Sequence, residues 1–482
     1  MNTDAVLAHL DQDQPAAINR LIDWLRIPSI STDPKFKGDC RRAAQWCADH
    51  LAQSGLKAEL RETGEVTGGV GSGHPIVMAY SPGSPDYKGP HVLFYGHYDV
   101  QPVGDPKKWE SEAFEPVIRE ADGGKDAPGR RIVARGAVDD KGQVAMFLES
   151  LRAWKKINNL VAGGVKFTVL IEGEEESSSI NLKKFVNDNK DELSKCHVCV
   201  ISDTGMLGRE RPAITYGVRG IAYTEVILHA ADQDLHSGMW GGRAPNPLNE
   251  LTKVLSQIWD STGRVSISGF YDNVVALTEG ERAAWQGLNF DVFGALKKIG
   301  LPPEADRGEA GYTALEREWG RPCCDINGII GGYTGEGAMT VIPAVARAKV
   351  SFRLVANQDP AQVSESFFTW LRSKTPAGCR WEFIDHGQGF PATVPSTSAY
   401  LAAATRAVER ATGRRPELIK SGGSIPVAGM LKGILGLDTI FMGFGLDDDR
   451  VHSPNEKFEI DCFRMGARSH AILIEELHKT GK

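Results

Sequence analysis

Short apolar runs separated by stretches of helical periodicity constrain the fold of this chain more than any other sequence feature. The runs occupy residues 91–95, 165–171, 197–201 and 438–442. Helical periodicity covers residues 14–27, 39–54, 143–156, 397–412, 424–432 and 463–479. Strands that are almost continuously apolar and alternate with helices are typical of a parallel sheet covered on both faces. The pattern therefore predicts an α/β domain with a mostly parallel sheet.

The pattern changes after Tyr216 and resumes near residue 397. In between, the expected elements are strands at 219–230, 345–355 and 380–385, helices at 246–259 and 360–372, and a further strand within 326–341. This order resembles a ferredoxin-like α+β unit inserted into the larger domain. Residues 263–325 are expected to be less regular and to decorate this inserted unit. We therefore place the domains at 1–214, 215–392 and 393–482, with the middle one as the insertion.

Composition excludes several classes of protein for this 482-residue chain. A net charge of -7 and a pI near 6.0 argue against nucleic acid and against an anionic membrane surface as partners. The N-terminus lacks a signal-peptide pattern, and no apolar run reaches the roughly 18 residues that span a membrane. We therefore expect a cytoplasmic protein.

The eight cysteines are sparse for this length, so a disulfide framework is not expected. Cys196 and Cys199 match a CxxC spacing, but they lie in a strand-like run and point to opposite faces. We interpret them as buried structural residues, and Cys323 and Cys324 have no assigned role.

Potential metal ligands follow the apolar runs at the point where each run ends. Each has an ordinary alternative, because a lone histidine is usually only hydrogen-bonded, an aspartate before a helix is usually an N-cap, and a glutamate run can be a solvated loop. Ligands of open α/β sheets bind beyond the carboxyl ends of the strands, so these segments can converge. Adjacent carboxylates after a buried strand would repel one another unless a cation relieved the repulsion. The candidates are His97, Asp99, Asp139 or Asp140, the glutamates at 172 and 174–176, Asp203 and His452.

Histidines and carboxylates without thiolates suit zinc, with manganese and cobalt as alternatives. Five ligands exceed the needs of one tetrahedral zinc, and they suit two ions that share a carboxylate. The residues alone do not decide which aspartate and which glutamate are the ligands.

The sequence contains eight motifs in a fixed order: GHYDVQP (96–102), ARGAVDDKG (134–142), EGEEESSS (172–179), ISDT (201–204), DLHSGMWGG (234–242), TVIPAVARAKVSFRLV (340–355), SGGSIPV (421–427) and VHSPNEKF (451–458). This set resembles the co-catalytic di-zinc peptidase family that includes carnosinases and cytosolic non-specific dipeptidases. Acetylornithine deacetylase, succinyl-diaminopimelate desuccinylase and aminoacylase are more distant members of the group. The motifs span nearly the whole chain, and GHYDVQP and DLHSGMWGG look closest to the carnosinase branch.

The resemblance implies a di-zinc catalytic domain with an inserted lid and dimerisation domain. It implies that Glu175 is the general base and that Asp99 orients His97. The Asp139–Asp140 peptide is expected to be cis. Two zinc ions per subunit would be held by His97 with Asp203 and by Glu176 with His452, with Asp139 bridging the two ions.

The resemblance also implies substrate contacts from the inserted domain. Arg353 and Thr340 correspond to contacts of the substrate carboxylate, and Ser424 corresponds to another substrate contact. His386 is a weaker match, because the sequence around it departs from the family's Gly-His-Gly-Gly-Lys-Pro pattern. His236 corresponds to a histidine supplied to the active site of the opposite subunit, which implies a homodimer.

The implied activity is hydrolysis of the amide bond of dipeptides or short peptides with a free C-terminal carboxylate, by a hydroxide that bridges the metals. An N-acyl amino-acid amidohydrolase would use the same metal site and is the alternative enzyme. A catalytically silent homologue that only binds ligands is the alternative from a different class.

Overall fold

The structure is a computed structural model that describes residues 1–65, 73–120 and 129–480. The chain divides into two compact units. Unit 1 comprises Met1–Tyr216, Val394–Ile419 and Leu431–Lys482, and unit 2 comprises Gly217–Thr393 and Lys420–Met430. The predicted domain boundaries stay a prediction, and residues 420–430 group with unit 2 in this division.

Helices and strands alternate along much of the chain. The helices are α1 (Thr3–Leu25), α2 (Lys37–Gln53), α3 (Lys141–Asn158), α4 (Leu182–Asp188), α5 (Lys190–Leu193), α6 (Ser237–Trp240), α7 (Pro247–Leu255), α8 (Glu279–Gly287), α9 (Val292–Lys298), α10 (Ala314–Gly320), α11 (Pro360–Ser373), α12 (Ala399–Thr412), α13 (Pro426–Leu435) and α14 (Ile460–Lys479). The strands are β1 (Lys57–Arg61), β2 (Ile76–Pro82), β3 (Val92–His97), β4 (Val117–Arg119), β5 (Arg131–Val133), β6 (Lys166–Glu172), β7 (Val198–Ile201), β8 (Ala213–Val218), β9 (Gly220–His229), β10 (Leu235–His236), β11 (Cys323–Gly331), β12 (Val341–Ile342), β13 (Val345–Leu354), β14 (Arg380–Gly389), β15 (Ala392–Thr393), β16 (Glu417–Ser421), β17 (Asp438–Phe441) and β18 (Lys457–Glu459).

The main sheet of unit 1 runs in the order β1-β2-β6-β3-β7-β17-β8. Its centre, from β6 to β17, is parallel, whereas β1, β2 and β8 pair antiparallel. Strand β3 is buried along its whole length, as its apolar sequence predicts. Helices α1, α3, α12 and α14 pack against one another, and α3 and α12 also contact the sheet. The prediction of a mostly parallel α/β sheet is therefore confirmed.

A smaller antiparallel sheet in unit 1 joins two distant parts of the chain. Its order is β18-β5-β4, and Lys457 of β18 lies opposite Val133 of β5. This pairing brings the segment after β5, residues 134–139, beside the residue that precedes β18.

Unit 2 contains an antiparallel sheet in the order β11-β13-β9-β14, with helices α7 and α11 packed against it. The element order β9-α7-β11-β13-α11-β14 is that of the expected ferredoxin-like unit. Strand β13 alternates in burial: Val350 and Phe352 lie in the core, whereas Ser351 and Arg353 face away from it. The polar face of this sheet can therefore present side chains to a ligand.

Some predicted elements differ from the structure. The first helix begins at Thr3 instead of residue 14, because the Asn2 side chain caps its N-terminus and Val6 and Leu10 are buried. The strand expected within 326–341 is β11, which begins at Cys323. Residues 263–325, expected to be less regular, contain α8, α9 and α10. Among the described residues, no helix is long and apolar enough to span a membrane.

Candidate metal centre

The ends of the parallel strands bring the predicted ligands together. His97 is the last residue of β3 and lies opposite Glu172, the last residue of β6. Asp203 follows β7 by two residues, and Asp139 lies two residues before α3. Since β6, β3 and β7 are parallel neighbours, their carboxyl ends meet at one edge of the sheet.

Two groups of possible ligands share Asp139. His97, Asp139 and Asp203 form one group, and Asp139, Glu176 and His452 form the other. One carboxylate oxygen of Asp139 lies 3.1 Å from Nε2 of His97, and the other lies 2.9 Å from Nε2 of His452. A carboxylate that presents one oxygen to each of two imidazoles has the arrangement that a bridging ligand needs. Asp139 and Asp203 also line a cavity of about 470 Å³.

Asp140 does not act as the helix cap that its position allows. It occupies the N-cap position of α3, but its side chain makes no capping hydrogen bond. Its carboxylate accepts a hydrogen bond from the backbone N–H of His97 at 3.1 Å. The Asp139–Asp140 peptide bond is cis. Both carboxylates of the pair therefore face the strand ends.

Asp99 holds two parts of the centre in place. The Nδ1 atom of His97 lies 3.1 Å from the backbone carbonyl oxygen of Asp99 and 3.3 Å from its carboxylate. The same carboxylate accepts hydrogen bonds from the backbone N–H groups of Glu175 and Glu176, at 3.3 and 3.0 Å. An Nδ1–H that donates to these oxygens leaves the Nε2 lone pair of His97 pointing at Asp139.

The charges of the group favour a cation. Burial by itself would lower the pKa of His97, but hydrogen bonds to Asp139, Asp203 and Asp99 raise it well above its ordinary value. Hydrogen bonds to Asp139 and Glu176 raise the pKa of His452 to about 10. Both imidazoles therefore favour the protonated form, with an N–H directed at the carboxylates. A metal ion at the same positions would satisfy the carboxylates and leave both histidines neutral, so the donor set fits two divalent ions.

The glutamate run is not a solvated loop, because its members have separate surroundings. Glu172 is buried and accepts hydrogen bonds from the hydroxyls of Tyr95 and Ser179. Glu174 is buried and accepts hydrogen bonds from the backbone and side chain of Asn181. Within the described ranges, the Glu175 carboxylate accepts no hydrogen bond. Burial raises the pKa of Glu175 to about 7; His97 opposes this shift, and Asp203 and Glu176 add to it.

Some residues that support the centre were not singled out from the sequence. Gln101, within GHYDVQP, donates a hydrogen bond to the Glu176 carboxylate at 2.7 Å. Lys457 donates to the buried carboxylate of Asp449 at 2.7 Å in the loop that carries His452. Both residues lie within or beside the motifs that carry the resemblance, so the motifs were the available sequence signal. The contact of Gln101 could not be read from them, because its partner Glu176 is distant in sequence.

The predicted substrate contacts lie in unit 2. Arg353, on the polar face of β13, donates a hydrogen bond to the Ser424 hydroxyl at 2.9 Å. His236 lies opposite Val341 in the β10–β12 pair, and the carbonyl oxygen of Thr340 accepts a hydrogen bond from the backbone of Ser237. His236 and Thr340 are therefore neighbours, and so are Arg353 and Ser424.

His386 has a partner within unit 2. Its Nε2 atom lies 2.8 Å from a carboxylate oxygen of Glu225, and its ring lies against Tyr223. This pairing competes with any contact that His386 could make with a substrate.

Cys196 and Cys199 are buried free thiols, and burial raises the pKa of Cys196 to about 12.

Several known proteins are similar to this chain over most of its length. The profile of the Peptidase family M20/M25/M40 matches residues 93–476. The Cys-Gly metallodipeptidase DUG1 of Candida albicans is 31% identical over 98% of this chain and 96% of its own length. The human Beta-Ala-His dipeptidase is 31% identical over 98% of this chain and 92% of its own. The solved structure of the metallo-carboxypeptidase Sso-CP2 from Sulfolobus solfataricus is similar with a TM-score of 0.75 and 30% identity, covering 96% of this chain and 99% of that one.

Proposed function

Because this chain belongs to peptidase family M20/M25/M40, we propose that it is a metallodipeptidase that hydrolyses dipeptides or short peptides with a free C-terminal carboxylate. The names of the Candida and human relatives, a metallodipeptidase and a dipeptidase, support this activity. The observation that carries it is the pair of ligand groups that share Asp139. Beside them lies the carboxylate of Glu175, which accepts no hydrogen bond from the described residues.

We propose that two divalent ions, zinc in the first instance and manganese or cobalt as alternatives, occupy the two ligand groups. His97, Asp139 and Asp203 would hold one ion, and Asp139, Glu176 and His452 would hold the other. When bound, such ions act as Lewis acids that polarise a carbonyl and lower the pKa of water toward neutrality. Histidine and carboxylate ligands without thiolates suit zinc.

Glu175 is the proton carrier in this proposal. A general base works best when its pKa lies near the operating pH, and the pKa of Glu175 is raised to about 7. Its carboxylate would accept the proton of the attacking water and pass it to the leaving amine. Glu172 and Glu174 cannot take this role, since both are buried and held by hydrogen bonds.

Arg353 would bind the C-terminal carboxylate of the substrate. A guanidinium can donate two parallel hydrogen bonds to a carboxylate, which lysine cannot reproduce. Ser424 fixes one nitrogen of the guanidinium, and Thr340 would add a further polar contact. Such a clamp restricts the enzyme to substrates with a free C-terminus. His386 remains a weaker candidate because it already pairs with Glu225.

We further propose that the protein is a homodimer in which His236 acts at the active site of the other subunit. The Nδ1 atom of His236 accepts a hydrogen bond from the backbone N–H of Gly238 at 3.0 Å, which places the proton on Nε2. The imidazole is exposed, so its Nε2–H can donate to the scissile carbonyl of a substrate. Strand β11, at one edge of the unit 2 sheet, exposes Ile329 and Ile330 and offers a surface for a second copy.

We propose a reducing compartment, the cytoplasm, as the location. The cysteines support this because they are free thiols and none is exposed. Disulfides form and persist mainly in oxidising compartments.

One substrate panel tests the function. Protein stripped with a chelator and reloaded with zinc, manganese or cobalt is assayed on dipeptides, on the same dipeptides with C-terminal amides, and on N-acetyl amino acids. We expect hydrolysis of the free dipeptides only, and only after reloading. A preference for N-acetyl amino acids would favour the amidohydrolase alternative. Full activity after chelation would overturn the metal centre.

A further inference from the structure

Glu456 is a fully buried carboxylate that lies beside the metal-ligand loop. It precedes β18 and is 0% exposed. One of its oxygens accepts hydrogen bonds from the backbone N–H groups of Val138 at 3.0 Å and Asp139 at 3.2 Å. The other accepts hydrogen bonds from the backbone N–H of Gly136 at 3.0 Å and from the Arg135 guanidinium at 2.8 Å.

The β18–β5 pair explains how this contact forms. Because Lys457 lies opposite Val133, Glu456 lies next to Ala134, whose N–H donates to the Glu456 carbonyl oxygen at 3.1 Å. The chain then turns at Gly136, whose φ of 80° lies in the left-handed region that favours glycine. This turn aims the N–H groups of Gly136, Val138 and Asp139 at one carboxylate, an arrangement typical of backbone anion sites.

A plain buried ion pair would not need this arrangement. Arg135 is itself buried and also donates to the carbonyl oxygen of Pro102, so it could neutralise Glu456 without help from the backbone. The three backbone N–H groups that also donate to Glu456 tie its carboxylate to the loop, so these hydrogen bonds hold the loop in place. The last of them belongs to Asp139, whose carboxylate oxygens face His97 and His452.

We propose that Glu456 is a positioning residue for the metal centre. Its carboxylate fixes the backbone from Gly136 to Asp139, so that the shared ligand presents one oxygen to each ligand group. The role rests on the proposed function, because it assumes that metal ions bind at Asp139. It also links the two halves of the centre, since Glu456 belongs to the same chain segment as His452.

Metal affinity of the Glu456→Gln variant tests the proposal. Glutamine keeps the size of the side chain but replaces one acceptor oxygen with an NH₂ group, which faces N–H groups and cannot accept from them. Zinc affinity is measured by competition with a chromogenic chelator, and the geometry of the site is followed by the absorption spectrum of bound cobalt. We expect zinc affinity to fall about 10- to 100-fold, as for other groups that orient metal ligands, and the cobalt spectrum to change.

Glu149→Gln is the matched control. Glu149 is also a buried glutamate paired with an arginine, Arg20, but it makes no hydrogen bond to the ligand loop. We expect this variant to lose thermal stability while it keeps wild-type zinc affinity. An equal loss of affinity in both variants would reduce Glu456 to a general structural role and overturn the proposal.

Glu456→Asp covers the case in which the glutamine variant does not fold. It keeps the charge but is shorter by one methylene, so we expect an intermediate zinc affinity. Wild-type affinity and an unchanged cobalt spectrum in a folded Glu456 variant would overturn the positioning role alone. Failure of the wild-type protein to bind zinc or cobalt would overturn the proposed function as well.

Discussion

The carboxylates between Glu172 and Glu176 are close in sequence but differ in what surrounds them. Hydrogen bonds hold Glu172 and Glu174, and Gln101 holds Glu176. Glu175 is left with a carboxylate that accepts no hydrogen bond from the described residues and a pKa raised to about 7. The hydrogen-bond partners of these glutamates therefore distinguish residues that the sequence alone does not.

Glu175→Gln tests the assignment of the base. Glutamine has nearly the same shape but cannot accept a proton from water, so we expect kcat to fall about 10²- to 10⁴-fold. Bound metal, measured by elemental analysis, should stay at the wild-type level. Glu174→Gln is the control, because it removes a neighbouring carboxylate that is occupied by Asn181. Near-normal turnover in the Glu175 variant would contradict the assignment.

Arg353→Lys tests the proposed carboxylate clamp. Lysine keeps the charge but loses the two parallel hydrogen bonds, so we expect KM for free dipeptides to rise about 10-fold or more. Dipeptides with a C-terminal amide, tested as competitive inhibitors because they are not expected to be hydrolysed, should bind to wild type and variant with little difference in affinity. Arg347→Lys is the control on the same strand, because its side chain is half exposed and pairs only loosely with Glu225. Equal effects on acid and amide dipeptides would argue against a clamp.

The buried side chain of His470 leads us to expect that the stability of the fold depends on pH, separately from catalysis. Burial beneath the rings of Phe94 and Phe147 lowers the pKa of His470 to about 3. Between pH 6 and pH 4 the unfolded chain therefore binds a proton that the folded chain does not, so acid removes stability. Relative to His470→Asn, the wild-type free energy of unfolding should fall by roughly 1.4 kcal/mol per pH unit over this range. Urea titrations at several pH values measure the free energy of unfolding of both proteins. If it depends on pH in the same way in wild type and variant, the prediction is wrong.

At the scale of helices and strands, the apolar runs predicted the centre of the sheet and the placement of ligands at its edge. Strands β1, β2 and β8 were missed. Strand β1 is short, partly exposed and carries charged residues, so it has no apolar run. The apolar residues 76–80 of β2 and the buried residues of β8 are a local signal that could have located both strands. Helices α8 and α10 were also missed. Thr278 with Glu281 and Thr313 with Glu316 form capping boxes, and this short-range pattern could have located both helices.

The supporting contacts of the metal centre could not be predicted from single residues. The motifs identified the candidate ligands His97, Asp139 and His452, because the ability of these side chains to bind a metal is a property of the residue type. The hydrogen bonds that Glu456 accepts from residues 136–139 depend on the pairing of β18 with β5. This pairing joins segments more than three hundred positions apart, as the Arg135–Glu456 contact shows, and no local pattern encodes it.

The two edges of the unit 2 sheet differ in a way that predicts the dimer interface. The edge strand β14 carries charged residues such as Arg380 and Glu382, which discourage pairing, whereas Ile330 on β11 is 60% exposed. We expect Ile330→Lys to weaken dimerisation more than 10-fold, measured by sedimentation equilibrium. Ile299→Lys alters an equally apolar, exposed residue that lies off the sheet and should have no effect. An unchanged dimer in the Ile330 variant would place the interface elsewhere.

At the scale of the whole molecule, the residues with proposed chemical roles are divided between the two units. The ligand groups and Glu175 belong to unit 1, and His236, Thr340, Arg353 and Ser424 belong to unit 2. On the proposed roles, each unit therefore supplies only part of what hydrolysis of a dipeptide needs. If His236 serves the opposite subunit, the complete site is a property of the dimer, and defects in two different chains can compensate for each other.

Mixing two inactive variants tests this division. In a hybrid of His236→Ala and Glu175→Gln, the chain that lacks His236 keeps its base and receives His236 from its partner. Random exchange makes about half of the dimers hybrids with one complete site each, so about a quarter of wild-type activity should return. His97→Ala mixed with Glu175→Gln is the control, because both defects then lie in the same set of residues and no hybrid site is complete. Subunit exchange is verified with two affinity tags. If exchange occurs and the first mixture stays inactive, His236 acts within its own subunit or not at all.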